Sequence, residues 1–470
     1  MRMIKKGLLL CFVCMLARLL PAQDTLRVFT EEDFLTAVRN NHPVAKQAGL
    51  LVDLARAGLL SVRGNFDPVL AFNTDRKTFD GKNYYNYTNA EVVIPTWFGV
   101  ELYGGLENNF GDNTNREITL GQSSYAGISI PLLKDLVLDK RRAALQQGKL
   151  FTQQSEFERR TIINELFFDA YKAYWNWAKD YQVLQVLDTT IALNEARYKL
   201  VRISFEQGDR AAIDTSEALV QLQAFQQLRE DAWLKYRKSA LELSVYLWLP
   251  DNKPAYLPEN IIPDTLWSKQ QLAMYKIASL DSMLANAALN HPKLQQIDFK
   301  LQSLEIERRL KFQSLLPKLD LKYNFLQKGY NLGNAFKNNI LENNYKFGVS
   351  AVVPIPNRSG IGDYKAARIK LKSTELDRNF TALTIENKVR FHYNEVVNLQ
   401  KQVRIYEAAL DNYRKLYNAE LLKFSFGETT LFLLNSRETK VLEAEQKLLE
   451  LKTKFYQAFA ALNWATGLLQ

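Results

Sequence analysis

Leu319-Asp320-Leu321-Lys322-Tyr323-Asn324-Phe325 alternates apolar and polar side chains, and Tyr345-Lys346-Phe347-Gly348-Val349-Ser350-Ala351 does so again after an Asn- and Gly-rich interval, residues 327–344. A period of two sets one face of a strand in an apolar medium and the other in a polar one. Each run is close to the ~9–11 residues of a tilted strand that crosses a bilayer. Soon afterwards, residues 363–426 contain neither Pro nor Gly and read as one helix. At ~1.5 Å per residue that rod approaches ~100 Å, against ~10–14 residues for a typical globular helix. Rods of this length persist when packed side by side. Lipid-length strands feeding such rods decide the fold.

The same plan stands earlier in the chain. Asn41-His42-Pro43 recurs as Asn290-His291-Pro292, and Ile130-Pro131 as Val353-Pro354. At an offset of 219, Tyr174 meets Tyr393, Tyr198 meets Tyr417, Phe205 meets Phe424 and Gly208 meets Gly427, each Gly followed by an acid, Asp209 or Glu428. The chain therefore reads as a duplication. The first repeat covers residues 23–249, with strands at about 67–130 and long helices at about 133–249. Residues 250–267 link the copies. The second repeat covers 268–470, with strands at about 318–354 and long helices at about 363–468. Residues 69–79, 88–94, 100–110 and 117–130 are strand-like in the first copy, with a hairpin expected near residues 95–99. Each Pro after His breaks a helix, and each Phe-x-x-Gly ends a rod, since Gly accepts positive φ.

Residues 1–22 carry Arg2, Lys5 and Lys6, a short apolar run at 7–16 and Ala22 after Pro21, the pattern of a secretory signal peptide. Its removal takes away four bases and no acid, lowering the net charge of +10 to +6, and removes both cysteines, Cys11 and Cys14. No disulfide scaffold or Cys-based zinc site remains, and export argues against a nucleic-acid partner. A mean hydropathy of −0.25 excludes a polytopic helical membrane protein. The three histidines read as structural, His42 and His291 at helix breaks and His392 on a rod. The chain shows no enzyme motif: Gly360-Ile361-Gly362 lacks the third Gly of a nucleotide fingerprint, and the carboxylates are spread along helices. Neither a catalytic apparatus nor a cofactor or metal is expected. Trp175, Trp177 and Tyr181 read as packing between rods, and Trp97, Phe98, Tyr103, Tyr125, Tyr323 and Phe347 as an interfacial aromatic girdle.

Open sheet edges in hydrocarbon are forbidden, and a few strands close no useful barrel. The chain is expected to pool strands and rods with copies of itself. The fold class is mainly α with a β-barrel contribution: a transmembrane β-barrel plus a periplasmic α-helical tunnel, both pooled from several copies.

The layout resembles the TolC-type outer-membrane channel family. The resemblance rests on Asn-His-Pro near each repeat start, Ile130-Pro131 and Val353-Pro354 where strand passes to helix, residues 363–371 opening a rod, and Gly427 with Thr429-Thr430 and residues 431–434 at the tip. It implies a homotrimer in the outer membrane with a twelve-stranded barrel, two strands from each copy of the repeat. It implies a helical tunnel in the periplasm that docks a membrane-fusion adaptor and, through it, an inner-membrane pump. The function implied is a passive exit duct for efflux or type I secretion. A soluble periplasmic coiled-coil adaptor or scaffold is the alternative, and it leaves the lipid-length alternation unexplained. In the family, acids six and nine residues after the second-copy Gly line the entrance. Here those places hold Leu433 and Ser436, and the first copy holds Asp214 and Glu217. The family's Arg, two residues after the second Gly, is replaced by Thr429, with Glu428 beside it and Arg437 the candidate substitute. Asp214, Glu217, Glu428 and Arg437 are thus the gate candidates, and the tips Gly208-Asp209 and Gly427-Glu428 the adaptor-docking candidates.

Overall fold

A computed structural model describes residues 27–112, 119–270, 272, 275–330 and 344–469. The leader at residues 1–22 and most of the surface loop at 327–344 lie outside them.

The recurring Asn-His-Pro has a local physical explanation. Helix α1 (Glu31–Asn41) starts on a Thr30–Asp33 capping box and stops at His42, and α2 (Pro43–Arg63) starts at once. His42 Nδ1 accepts the Val44 N–H at 3.2 Å. The second copy repeats this: α5 (Leu280–Asn290) gives way to α6 (Pro292–Gln313), and His291 Nδ1 accepts the Lys293 N–H at 3.1 Å. Each imidazole caps a helix whose first residue, Pro, has no N–H to satisfy.

The described residues pack as two units. One, from residues 47–161 and 286–386, holds a six-stranded antiparallel sheet of β2 (Val69–Phe79), β3 (Lys82–Pro95), β4 (Glu101–Phe110), β5 (Gly121–Pro131), β7 (Lys318–Lys328) and β8 (Tyr345–Val352), in that order. Six strands replace the four that the resemblance implies, because the first copy contributes four. Asp80 and Gly81, at φ 55° and 73°, form the two-residue turn between β2 and β3, a geometry matched to the strand twist. A second turn, over Thr96–Gly99, joins β3 to β4.

The register sorts side chains by polarity. Leu70 faces Val92, Ile94 faces Leu102, Leu102 faces Ile128, Ile128 faces Tyr323, and Tyr323 faces Phe347, so one apolar face crosses all six strands. Leu70 and Phe72 are 76% and 67% exposed, and Phe347 and Val349 54% and 56%. The other face is polar: Asn73 faces Asn89, Asn89 faces Glu107, and Glu107 faces Ser123. Tyr103 and Tyr125, expected in an outward girdle, lie on this face and donate to Glu101 and Glu91, each at 2.5 Å. Their hydroxyls need acceptors, and the polar face supplies carboxylates. Tyr323 and Phe347 lie on the apolar face, and Trp97 and Phe98 are exposed at the β3–β4 turn.

Two rods belong to both units, α3 (Lys140–Glu206) and α7 (Arg358–Ser425), of 67 and 68 residues. The first starts later than residue 133. The Leu132 N–H bonds Leu319 O at 2.7 Å, Asp135 turns at φ 70°, and Asp139 then caps the helix through the Arg142 N–H at 2.7 Å. The second starts before residue 363 and absorbs Gly360. Asn357 Oδ1 accepts the Gly360 N–H at 3.0 Å, and a Cβ at 360 would stand 2.6 Å from Ser314 O.

The other unit gathers the remaining described residues: α1, the parallel ladder of β1 (Arg27–Phe29) with β6 (Ile261–Pro263), α4 (Ala212–Ser244), α8 (Leu431–Ala465) and the second parts of both rods. Its core is aromatic. Trp175 stacks on Tyr456 with centroids 4.1 Å apart, Trp267 meets both edge-on, and Phe34 stacks on Tyr174. Trp175 and Trp177 are packing residues, both buried.

His42 sits in this unit, stacked on Tyr246 with Trp248 edge-on, and burial lowers its pKa below the usual 6.5. As pH falls, the unfolded chain takes the proton first, so this group costs stability progressively below about pH 6.5 and nothing above it. The thermal midpoint of the purified protein should fall between about pH 7 and pH 5. His42→Asn keeps an acceptor at the cap and should flatten that acid slope in calorimetry; an identical slope would clear His42 of the effect.

Candidate functional site at the helix tips

Both rods end in the same hydrogen-bond pattern. At the first tip, Gly208 N–H bonds Phe205 O at 3.0 Å and Asp209 N–H bonds Ser204 O at 2.9 Å; at the second, Gly427 N–H bonds Phe424 O at 3.1 Å and Glu428 N–H bonds Lys423 O at 2.9 Å. Gly208 and Gly427 stand at φ 84° and 77°. These are Schellman closures, in which a left-handed residue satisfies the last carbonyls. Asp209 and Glu428 project from the tips as exposed acids. The returning helices differ at their starts. Thr430 caps α8 by accepting the Leu433 N–H, whereas Ala211 offers α4 no side-chain acceptor.

The gate candidates do not all meet. Asp214, in the first turn of α4, pairs at 3.5 Å with Arg210. Arg210 also lies over the Phe424 ring at 3.9 Å and donates to Phe424 O at 3.3 Å, joining the first tip to the end of the second rod. The sequence carried this signal: the arginine expected two residues after the second Gly stands two residues after the first. Thr429, in the family's arginine place, donates to Glu420 at 2.5 Å instead. Glu217, half-buried on α4, and Glu428 form no ion pair among the described residues. Arg437, half-buried on α8, does not reach Asp214.

The arginine that does cross the copies is Arg197 on α3. It grips Glu438 of α8 through both nitrogens, at 2.7 and 2.9 Å, and donates to the Tyr417 hydroxyl of α7 at 2.9 Å. Asn435 and Asn194 accept further bonds at 3.4 and 3.3 Å. The Arg197 and Glu438 side chains are only 11% and 8% exposed. Burial works against the Arg197 charge, but the contacts of Glu438 and Tyr417 outweigh it and hold the guanidinium above its ordinary value. Toward the tip, Val201, Ala218, Leu431 and Leu434 form a closed apolar cluster. Beside it a groove of about 700 Å³ opens between α3 and α7, lined by Leu193, Leu200, Leu421 and Leu422 with Arg197 and Arg210.

Among the described residues no helix is long and apolar enough to cross a membrane. Comparison with known proteins gives a consistent picture. Residues 283–468 match the family model described as Outer membrane efflux protein. The solvent efflux pump outer membrane protein SrpC of Pseudomonas putida is 20% identical over 305 residues, which is 63% of this chain and 60% of that protein. The chain thus spans about three fifths of the length of that relative. The outer membrane channel MtrE of Neisseria gonorrhoeae shares the fold at a TM-score of 0.65 and 15% identity, over 93% of this chain and 88% of its own. The CmeC outer membrane channel of Campylobacter jejuni does so at 0.62 and 14%, over 93% and 85%. With the helix–strand–rod plan and the paired tips, these matches make the chain similar to outer membrane efflux proteins, whose family model covers residues 283–468, and give it the fold of the outer membrane channels.

Proposed function

We propose that the chain is one subunit of a homotrimeric exit duct in the outer membrane, with its helices forming a tunnel in the periplasm. The duct is a passive conduit for a tripartite efflux pump or a type I secretion system. One observation carries this reading: a single sheet with an exposed apolar face, a hydrogen-bonded polar face and, among the described residues, two outer strands paired on one side only. In hydrocarbon such edges are satisfied only by ring closure, and a closed sheet of this polarity encloses water. A soluble scaffold would leave Leu70, Phe72, Phe347 and Val349 against water for no return. The partners that follow are two more copies, outer-membrane lipid, a periplasmic adaptor and the inner-membrane pump behind it. The tips Gly208-Asp209 and Gly427-Glu428, with the apolar groove beside them, are the docking surface for the adaptor. The detergent-purified chain in a planar bilayer should give ion-conducting steps. Absence of conductance, together with recovery as a monomer without detergent, would overturn the duct.

Asp214 and Glu217 border the narrow end, where acids favour cations. Asp214→Asn with Glu217→Gln should lower the cation-to-anion permeability ratio several-fold, read from reversal potentials in a salt gradient; an unchanged ratio would remove them from the ion path. Arg197, Tyr417 and Glu438 act as a latch joining α3, α7 and α8. Glu438→Leu strands a buried guanidinium and should cost about 3–5 kcal/mol, whereas Arg197→Met with Glu438→Leu should regain most of that loss. Thermal melts followed by far-ultraviolet circular dichroism compare the two; equal midpoints would deny the coupling.

A further inference from the structure

We infer that all six strands enter the barrel, so that three copies close an eighteen-stranded wall in which β8 of one copy pairs with β2 of the next. This rests on the trimeric duct proposed above and departs from the twelve strands that the family resemblance implies.

Four observations carry it. The apolar face does not stop at β4: it continues through Val92 and Ile94 of β3 to Leu70 and Phe72 of β2, before Thr74 and Arg76 turn that face polar toward the β2–β3 turn. A hairpin standing outside the membrane has no use for a lipid-facing stripe in register with its neighbours. Second, β3 already occupies the free edge of β4, from Asn86 opposite Phe110 to Pro95 opposite Glu101. Closing a ring at β4 would break that whole ladder. Third, the described residues of β2 and β8 are almost all exposed, and each strand is paired along one side only. Fourth, an even number of antiparallel strands makes the two edges run in opposite directions. A β8–β2 joint then continues the antiparallel order around the ring, as bacterial single-chain barrels also require. At this joint Asn73 and Asp75 of β2 share the polar face with Lys346 and Ser350 of β8, so the seam can be polar inside and apolar outside.

The consequence is a wider lumen. Barrel diameter grows roughly linearly with strand number, so eighteen strands give a wall about one and a half times as wide as twelve, in the range where porins hold an aqueous channel. The duct would then pass bulkier cargo at the membrane than a twelve-stranded one.

The test uses the full chain with Cys11→Ser and Cys14→Ser, carrying Asn73→Cys together with Lys346→Cys, Gly348→Cys or Ser350→Cys. Oxidation of the detergent-purified protein should give disulfide-linked dimers and trimers for at least one pair. Replacing Asn73→Cys by Glu107→Cys on β4 should give none. Links from β8 to β4 but not to β2 would overturn the proposal. Native mass spectrometry of the same samples decides a separate question, since a monomer there would remove the trimer itself. Where no pair links in a proven trimer, cryo-electron microscopy counts the wall: eighteen strands uphold the inference and twelve refute it.

Discussion

A β-sheet cannot end in hydrocarbon. Every strand edge presents a row of N–H and C=O groups, and where no water is available each unpaired group costs several kcal/mol. The sheet here has its apolar side chains gathered on one face and its hydroxyls, amides and carboxylates on the other. The pattern is paid for within the sheet: the tyrosines of the polar face bond to glutamates two strands away or on their own strand. Gly127 allows β5 to lie tightly on β7, where a Cβ would stand 2.6 Å from Tyr323 O. That ladder joins the two copies of the repeat in one sheet. Among the described residues the two outer strands pair on one side only, and the proposed trimer would satisfy their other edges.

The rods obey a related demand. A helix of nearly seventy residues has a small polar debt, confined to its ends, but a long stripe of apolar side chains to cover. The ends are settled locally, by Asp139 and Asn357 at the starts and by Gly208 and Gly427 at the tips. The stripe is settled by neighbours. Leu184, Leu187 and Phe225 pack with Leu442, so α3, α4 and α8 share a core. Many apolar residues on the rods stay exposed, among them Ile369, Phe380, Phe391 and Ile405 of α7. A solitary chain would gain little from such faces, which is consistent with helices that meet other copies.

How much of this was legible in the sequence depended on range. The period-two runs, the Pro- and Gly-free rods and the Phe-x-x-Gly ends are local signals, and they located the second-copy strands and both tips. Asn-His-Pro was legible as a helix break, while the role of the imidazole as a cap acceptor was not drawn from it. The Asp80-Gly81 pair carried the signal for the β2–β3 hairpin, since that dipeptide suits a turn with two positive φ values. The polar residues of β2 after Phe72 blurred the alternation that would have supported it. The Arg197–Glu438 pair was beyond reach: its partners are separated by 241 residues, and each sits in a helix crowded with similar charges. Tyr103 and Tyr125 were assigned to the wrong face because an aromatic residue on a strand does not by itself reveal which medium it meets.

The two tips are built unequally. In the repeat alignment, Arg197 corresponds to Leu416 and Glu438 to Leu219. The latch therefore forms where copy one presents its rod to the returning helix of copy two, and the reciprocal positions are leucines. The same bias holds at the turn itself, where Arg210 and Asp214 correspond to Thr429 and Leu433. A buried ion pair adds little net stability over a well-packed apolar contact, but its geometry is exacting. Placing it at one of two corresponding positions distinguishes helix surfaces that are otherwise similar. Leucines alone would allow the two pairings to exchange. One arginine gripping one glutamate, with Tyr417 fixing its angle, gives the tips a single register.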